Sequence, residues 1–235
     1  MLGNGLRKRI AALEADIQQA RRDHTLEPRW RRELVAARAQ AVHVNHTIPL
    51  PRAGVDYSFA RYTGEQLRER GATFAGRYLT GEGKALGHTE ALSLSRAGID
   101  LVALYELGSE AMAGGTPAGE HDGRQALAAA HAIGMPQRRP IYFACDFDAT
   151  GEQLHAALDY MRAAKGALNG RYDAGGYGGL AFVRTIQGAG FTYAWQTLAW
   201  SGGVWDDRAQ LRQTAIGAEL DTDYAYAADF GQWKV

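Results

Sequence analysis

"IYFACDFDAT", residues 141–150, decides how this chain is read. Five of its first six residues are apolar or aromatic, as in a strand buried on both faces of a parallel sheet. The stretch then ends on two acids one residue apart, Asp146 and Asp148. Side chains alternate faces along a strand, so both acids share a face with Tyr142 and Ala144. Ile141, Phe143, Cys145 and Phe147 take the other face, toward flanking helices. Cys145 is then a core residue rather than a nucleophile. A sheet gains no stability from paired acids at the end of a hydrophobic strand. A catalytic site can use them.

Outward from this strand, short apolar runs alternate with helical ones. "AGVDYS", "TFAGRYL", "DLVALYE", "PIYFACDFD", "YDAGGYG" and "TYAWQT" read as strands. "TGEQLRERG", "TEALSLSRAG", "GRQALAAAHAIG", "TGEQLHAALDYMRAAKGAL" and "GLAFVRTIQGAG" read as the helices between them. "TAIGAELDTDYAYAADFGQW" supplies one or two further strands. Such alternation implies a parallel sheet with helices outside. About 180 residues is short for a closed eight-stranded barrel, which typically takes about 250. No G-x-G-x-x-G follows the first strand, which argues against a dinucleotide-binding sheet.

Residues 1–45 differ in character. Leu6, Ile10, Leu13, Ile17 and Ala20 step by 4, 3, 4, 3, a heptad seam, and Pro28 breaks the run before a second helical stretch. A helical hairpin or coiled coil is expected, with self-association or a virion partner engaged through residues 6–42. "HTIPLPRAG" reads as a linker, placed at 46–53, with the main domain at 54–235. Residues 1–50 hold nine Lys/Arg and five Asp/Glu, a net +4, within a chain of 235 residues whose formal charge is zero. Neither part is basic enough to argue for nucleic acid. No apolar run is long enough for a membrane span. One cysteine excludes an intrachain disulfide. Acids interrupt the first apolar stretch, so no secretory signal is read. Synthesis in the cytoplasm is expected, with the wall reached through host lysis or on a virion.

The strand ends are unusually polar. In order they carry Asp56, Arg77 with Tyr78, Tyr105 with Glu106, Asp146 with Asp148, Tyr177 and Gln196, followed by Asp221 and Asp223 in "ELDTDYA". Any one of these is an ordinary helix cap. Several at one end of a parallel sheet mark the face where barrels keep their active sites. Nearby carboxylates split their pKa values and supply an acid beside an anion, the pairing that glycoside hydrolysis requires. A carboxylate pair can also hold a divalent cation. No histidine pair at ligand spacing supports a transition metal, so no metal and no cofactor is expected. Trp200 and the strand-end tyrosines offer planes for sugar C–H faces. Trp195 is read as core, by alternation with Gln196.

"GVDYS", "FAGRYL", "PIYFACDFD", "GGYGG", "AWQTLAWSGG" and "LDTDYAYAADFGQW", in this order, resemble one family. It is the glycoside-hydrolase-like TIM-barrel domain of bacteria and their phages, long catalogued as a domain of unknown function. The resemblance covers about residues 53–235 and implies an α/β, (β/α)8 TIM-barrel-like fold. The family in turn resembles the family 25 muramidases of the Chalaropsis lysozyme type. These carry an aspartate after strand one, a D-x-E at strand four and a late aspartate. By position that implies Asp56, Asp146, Asp148 and Asp223 as catalytic residues, with Asp221 the alternative for the late acid. Arg77, Tyr105, Glu106, Tyr177, Gln196, Trp200 and Asp221 are expected to bind substrate. One departure stands out. Asp148 occupies the place of the glutamate proton donor, which shortens its reach by roughly 1.5 Å. A displacement of that size costs about 100-fold in rate.

Two functions follow from this reading. One is a muramidase-like hydrolase of cell-wall peptidoglycan, with Asp148 as the acid and Asp146 as stabiliser, working as a phage lysin or virion enzyme. The other is a barrel that grips cell-wall glycan without cutting it, anchored to a larger assembly by its N-terminal helices.

Overall fold

The computed structural model describes residues 50–235. The helical extension at 1–45, its pairing through residues 6–42 and the first part of the linker expected at 46–53, up to residue 49, lie outside the described residues; the end of that linker, Arg52 and Ala53, belongs instead to the first strand, where both pair with the last strand. Eight strands close into a barrel in chain order: β1 (Arg52–Tyr57), β2 (Phe74–Tyr78), β3 (Asp100–Tyr105), β4 (Pro140–Cys145), β5 (Asp173–Gly178), β6 (Tyr193–Gln196), β7 (Leu211–Ala215) and β8 (Asp221–Ala225). Five helices connect the first six strands: α1 (Gly64–Glu69), α2 (His88–Arg96), α3 (Gly115–Ala132), α4 (Glu152–Ala167) and α5 (Leu180–Gly188).

The length puzzle resolves at the end of the chain. No helix separates β6 from β7 or β7 from β8. A helix-free connection joins β6 to the parallel β7. A tight turn then returns β8 antiparallel to both β7 and β1. An antiparallel neighbour needs only a hairpin, where a parallel one needs a long crossover. Two helices are saved, and fewer than 190 residues close the ring.

β8 therefore runs from the mouth downward. Asp221 stands opposite Asp56, and Asp223 opposite Gly54 one step deeper. The segment after β8 closes the far end. Phe230 packs inside the barrel and accepts a hydrogen bond from Tyr142 Oη at its carbonyl, and Trp233 bridges Leu101.

The strands sort their side chains as strict alternation demands. Phe74, Val102, Leu104, Tyr142, Ala144, Tyr177, Trp195 and Leu211 fill the barrel. Ala75, Leu101, Ala103, Tyr105, Ile141, Phe143 and Cys145 face the helical layer. Large interior rings are matched by glycines. A Cβ on Gly54 would meet the Phe74 ring at 2.3 Å, and one on Gly76 would meet Trp195 Cη2 at 2.4 Å.

α1 is set by a capping box between Thr63 and Gln66. α3 starts eight residues before the expected "GRQALAAAHAIG". Its first half, "GTPAGEHDG", has the composition of a loop. Gly119 and Gly123 are instead contact points, where a Cβ would lie 2.2 Å from the Tyr160 carbonyl and 2.7 Å from that of Ala164. Close approach of α4 decides the conformation there, against glycine's weak helix propensity. Behind this contact, the buried Asp122 accepts a hydrogen bond from Tyr160 Oη at 2.6 Å.

Candidate active site

The mouth of the barrel is built from the inward residue at or just past the end of each strand. These are Asp56, Tyr78, Glu106, Asp146, Tyr177, Thr197, Gln213 and Asp221, with Trp195 and Asp223 one layer below. Seven of the strands point their C-terminal ends here, and β8 contributes its N-terminal end.

On one wall, Gln213 Nε2 donates to Asp56 Oδ2 and to Asp221 Oδ2, each at 2.9 Å. Its Oε1 accepts from Tyr177 Oη at 3.0 Å and from Thr197 Oγ1 at 2.8 Å. The backbone N–H of Gly217 donates to Asp221 Oδ1 at 2.8 Å. Beneath them, Trp195 Nε1 donates to Asp223 Oδ1 at 2.9 Å, and Asp223 Oδ2 has no partner among ordinary donors.

Asp56 and Asp223 are both buried. Burial raises the Asp56 carboxyl to about 6, and the charge of Asp221 adds to it. Burial and then the charge of Asp56 push Asp223 well above the usual carboxylate range. Of the two, Asp223 is pushed further toward its protonated form, and a hydrogen bond between the pair raises Asp223 and lowers Asp56.

On the other wall, Lys84 Nζ pairs with Glu106 Oε2 at 3.3 Å and lies 4.4 Å from the centre of the Tyr78 ring. Asp146 is half-buried. Its carboxyl is raised by burial first and by the charge of Glu106 second, while Lys84 opposes both. Tyr78 and Tyr177 each feel the charges of Asp56 and Asp146, and burial keeps both phenols protonated. Among the described residues, no three His, Cys, Asp or Glu side chains converge to hold a metal ion. The arrangement offers a half-buried acid of raised proton affinity, a second set of carboxylates and aromatic planes between them.

Five of the expected site residues therefore meet the mouth through their alternation: Asp56, Asp146, Glu106, Tyr177 and Asp221. Asp223 lies just below. Three face the other way. Arg77 is fully buried on the outer side of β2, where it reaches Glu90 and the carbonyls of Tyr57, Ser58 and Lys84. Tyr105 packs outward against Phe143, beside Asp122. Gln196 also points outward and holds the next loop through Ser201 Oγ, the Val204 carbonyl and the Asp206 N–H. Trp195, read as core, is buried as the inward residue of that pair. Asp148 lies three residues beyond the last residue of β4, exposed and with no side-chain hydrogen bond among the described residues. Trp200 is partly exposed on the loop after β6 and packs over Gly179. Cys145 is buried and its thiol is pushed up to about 12, so it is inert, as alternation implied.

Lys84, Thr197 and Gln213 are not singled out as site residues by the sequence. Tyr78 is noted there as a strand-end tyrosine, and alternation with Phe74 places it inward, ahead of Arg77. Gln213 lies in "LRQTA", whose polarity hides a strand altogether.

The family model of the Rv2525c-like, glycoside hydrolase-like domain matches residues 65–234. The chain belongs to this family. A relative from Mycobacterium tuberculosis, named "Putative peptidoglycan hydrolase Rv2525c", is 28% identical over 200 residues, covering 76% of this chain and 82% of that protein. The crystal structure of the Tat-secreted Rv2525c in complex with L-tartrate superimposes with a TM-score of 0.71 at 26% identity, over 77% of this chain and 98% of that one. The modular autolysin LytC of Streptococcus pneumoniae, solved with a synthetic peptidoglycan ligand, shares the fold at a TM-score of 0.51 and 12% identity, over 75% of this chain and 47% of that one. The Rv2525c-like assignment agrees with the barrel and with the polar mouth it frames. No helix among the described residues is long and apolar enough to cross a membrane.

Proposed function

We propose that this barrel hydrolyses glycosidic bonds of bacterial cell-wall peptidoglycan, with Asp146 as the proton donor. The observation that carries this reading is the position of Asp146. It is the inward acid at the end of β4, half-buried, its proton favoured by burial and by Glu106. A carboxyl of raised proton affinity so placed is suited to protonate a leaving-group oxygen. The Asp56–Gln213–Asp221 wall supplies negative charge for the cationic transition state. Tyr78 and Tyr177 flank the space between the walls. The role of acid moves from Asp148 to Asp146, because Asp148 is exposed and lies beyond the end of β4, outside the ring of inward residues.

The family and the name of the mycobacterial relative support a cell-wall glycan as substrate. Within that class we assign the linkage at N-acetylmuramic acid, a muramidase activity. The setting in a phage lysin or on a virion rests on residues 6–42, outside the described residues.

The test is to incubate the purified chain with peptidoglycan and count new reducing ends, beside Asp146→Asn. Release by the wild type, reduced at least about 100-fold in a variant with an unchanged melting point, is the expected result. Equal release by both would remove Asp146 from the chemistry. A second reading is favoured by the exposure of Asp148, where related muramidases place their donor: the barrel binds glycan without cutting it. It predicts sedimentation with the wall and no reducing ends from either protein.

A further inference from the structure

Gln213 stands at the centre of the mouth although no motif pointed to it. It is buried, and its amide makes four hydrogen bonds. Both amide hydrogens go to carboxylates, Asp56 and Asp221, and both lone pairs of the amide oxygen receive hydroxyls, from Tyr177 and Thr197. Reversing the amide would set its oxygen against two carboxylates, so a single orientation is held. Asp56 and Asp221 come from strands of opposite direction and face each other directly across the β1–β8 ladder. Like charges so placed repel, and a donor shared by both offsets the repulsion.

We propose that Gln213 is the positioning residue of this site, joining Asp56 and Asp221 into one carboxylate pair and setting how readily Asp56 gives up its proton. The catalytic meaning of this role rests on the glycosidase reading above; the geometry does not.

The groups that bear on Asp56 are few. Asp221 on β8 raises its proton affinity through its charge. Asp223, below it on β8, donates a hydrogen bond that lowers it, and so does Gln213 on β7. Arg77 on β2, on the other face of the barrel wall, lowers it weakly through its charge. Tyr78 and Tyr177 stay neutral. Removing the Gln213 donor leaves burial and Asp221 less opposed, so Asp56 must hold its proton to higher pH. No rearrangement of charge accompanies the change from Gln to Met.

The experiment is a carbon-13 titration of the aspartate carboxyls in the full chain, comparing wild type, Gln213→Met and the double variant Tyr177→Phe with Thr197→Val. Gln213→Met keeps length and approximate volume but loses both donors. Its Asp56 midpoint is expected to rise from about 6 by about one unit, the order of one charge-assisted hydrogen bond. The double variant keeps the glutamine and frees its far end. A smaller rise is expected there, with the circular dichroism of the wild type.

An Asp56 midpoint unmoved in folded Gln213→Met overturns the proposal. If Gln213→Met does not fold, an unmoved midpoint in the double variant overturns it instead. The readout needs no turnover. A shifted midpoint in a protein that releases no reducing ends would uphold the role of Gln213 and remove the glycosidase reading. Release of reducing ends with an unmoved midpoint would do the reverse.

Discussion

Trp195 Nε1 donates to Asp223 Oδ1 at 2.9 Å inside the barrel, directly beneath the mouth. The bond gives a large ring a polar anchor and gives a buried acid its one neutral donor. It also orients that acid. With Oδ1 taken by the indole, Oδ2 is the oxygen left free toward Asp56. The floor of the site is thus a stack of the Trp195 indole and two buried carboxyls, both of raised proton affinity.

Stability must therefore depend on pH with a definite sign. Asp56 and Asp223 both hold their protons more tightly folded than unfolded. The native state then binds more protons, and stability falls as pH rises. For Asp56 the window runs from about 3.8 to about 6 and amounts to on the order of 3 kcal/mol. Asp223 extends the fall to higher pH. In Asp223→Asn, an amide takes the place of the acid, with an oxygen for Trp195 and an N–H for Asp56. Urea midpoints measured at pH 5 and pH 8 should differ less in this variant than in wild type. Equal differences would mean that Asp223 is not protonated in the fold.

Gly76 sets how close the wall comes to this stack. A Cβ there would lie 2.4 Å from Trp195 Cη2 and 2.9 Å from the Asp56 Cβ. Neither neighbour is a flexible chain end. Gly76→Ala should destabilise the barrel by about 1–3 kcal/mol through overpacking. Thermal melting checks the loss. The near-ultraviolet circular dichroism of Trp195 should change with it, and an unperturbed signal would mean that the indole has room to move.

The strand–helix alternation was legible because each strand up to β6 is a short apolar run bounded by turn residues. β7 was not, since only Leu211 and Gln213 of "LRQTA" are buried. The direction of β8 was equally hidden, because an antiparallel return leaves no helical spacer to count. At the site, alternation worked where it was applied. Counting back from Asp146 through Ala144 to Tyr142 gave the inward face of β4 correctly. Where two polar or aromatic residues ended a strand, as in Arg77–Tyr78 and Trp195–Gln196, choosing by chemistry instead of by parity gave the outward member, and at Tyr105–Glu106 both members were taken where parity selects Glu106. Asp148 is a different case. β4 ends at Cys145, so alternation had no strand left to act on three residues later.

Arg77 separates parity from chemistry in a measurement. Its guanidinium is fully buried, pairs with Glu90 Oε1 at 3.0 Å and stacks 4.2 Å from the centre of the Tyr57 ring. It binds the loops after β1 and β2 to α2. Arg77→Met should cost about 3–5 kcal/mol, the usual result of leaving one partner of a buried ion pair alone. Glycan sedimentation should be unchanged at temperatures where the variant is folded. Loss of sedimentation at full stability would return Arg77 to the substrate.

Two neighbours should move the pH profile of turnover in opposite directions. A proton donor works only while protonated, so activity falls as pH rises through its pKa. The charge of Glu106 raises the Asp146 carboxyl, and the charge of Lys84 lowers it. Glu106→Gln should therefore bring the alkaline limb of the profile to lower pH, and Lys84→Met should carry it to higher pH. Asp148→Asn should leave the limb in place, since Asp148 is exposed and three residues past the strand. Rates of reducing-end release across pH 4–9 for the four proteins decide the matter. Opposite shifts from Glu106 and Lys84 identify Asp146 as the group that titrates. A limb that moves only with Asp148→Asn would restore the proton to the second acid of "CDFD".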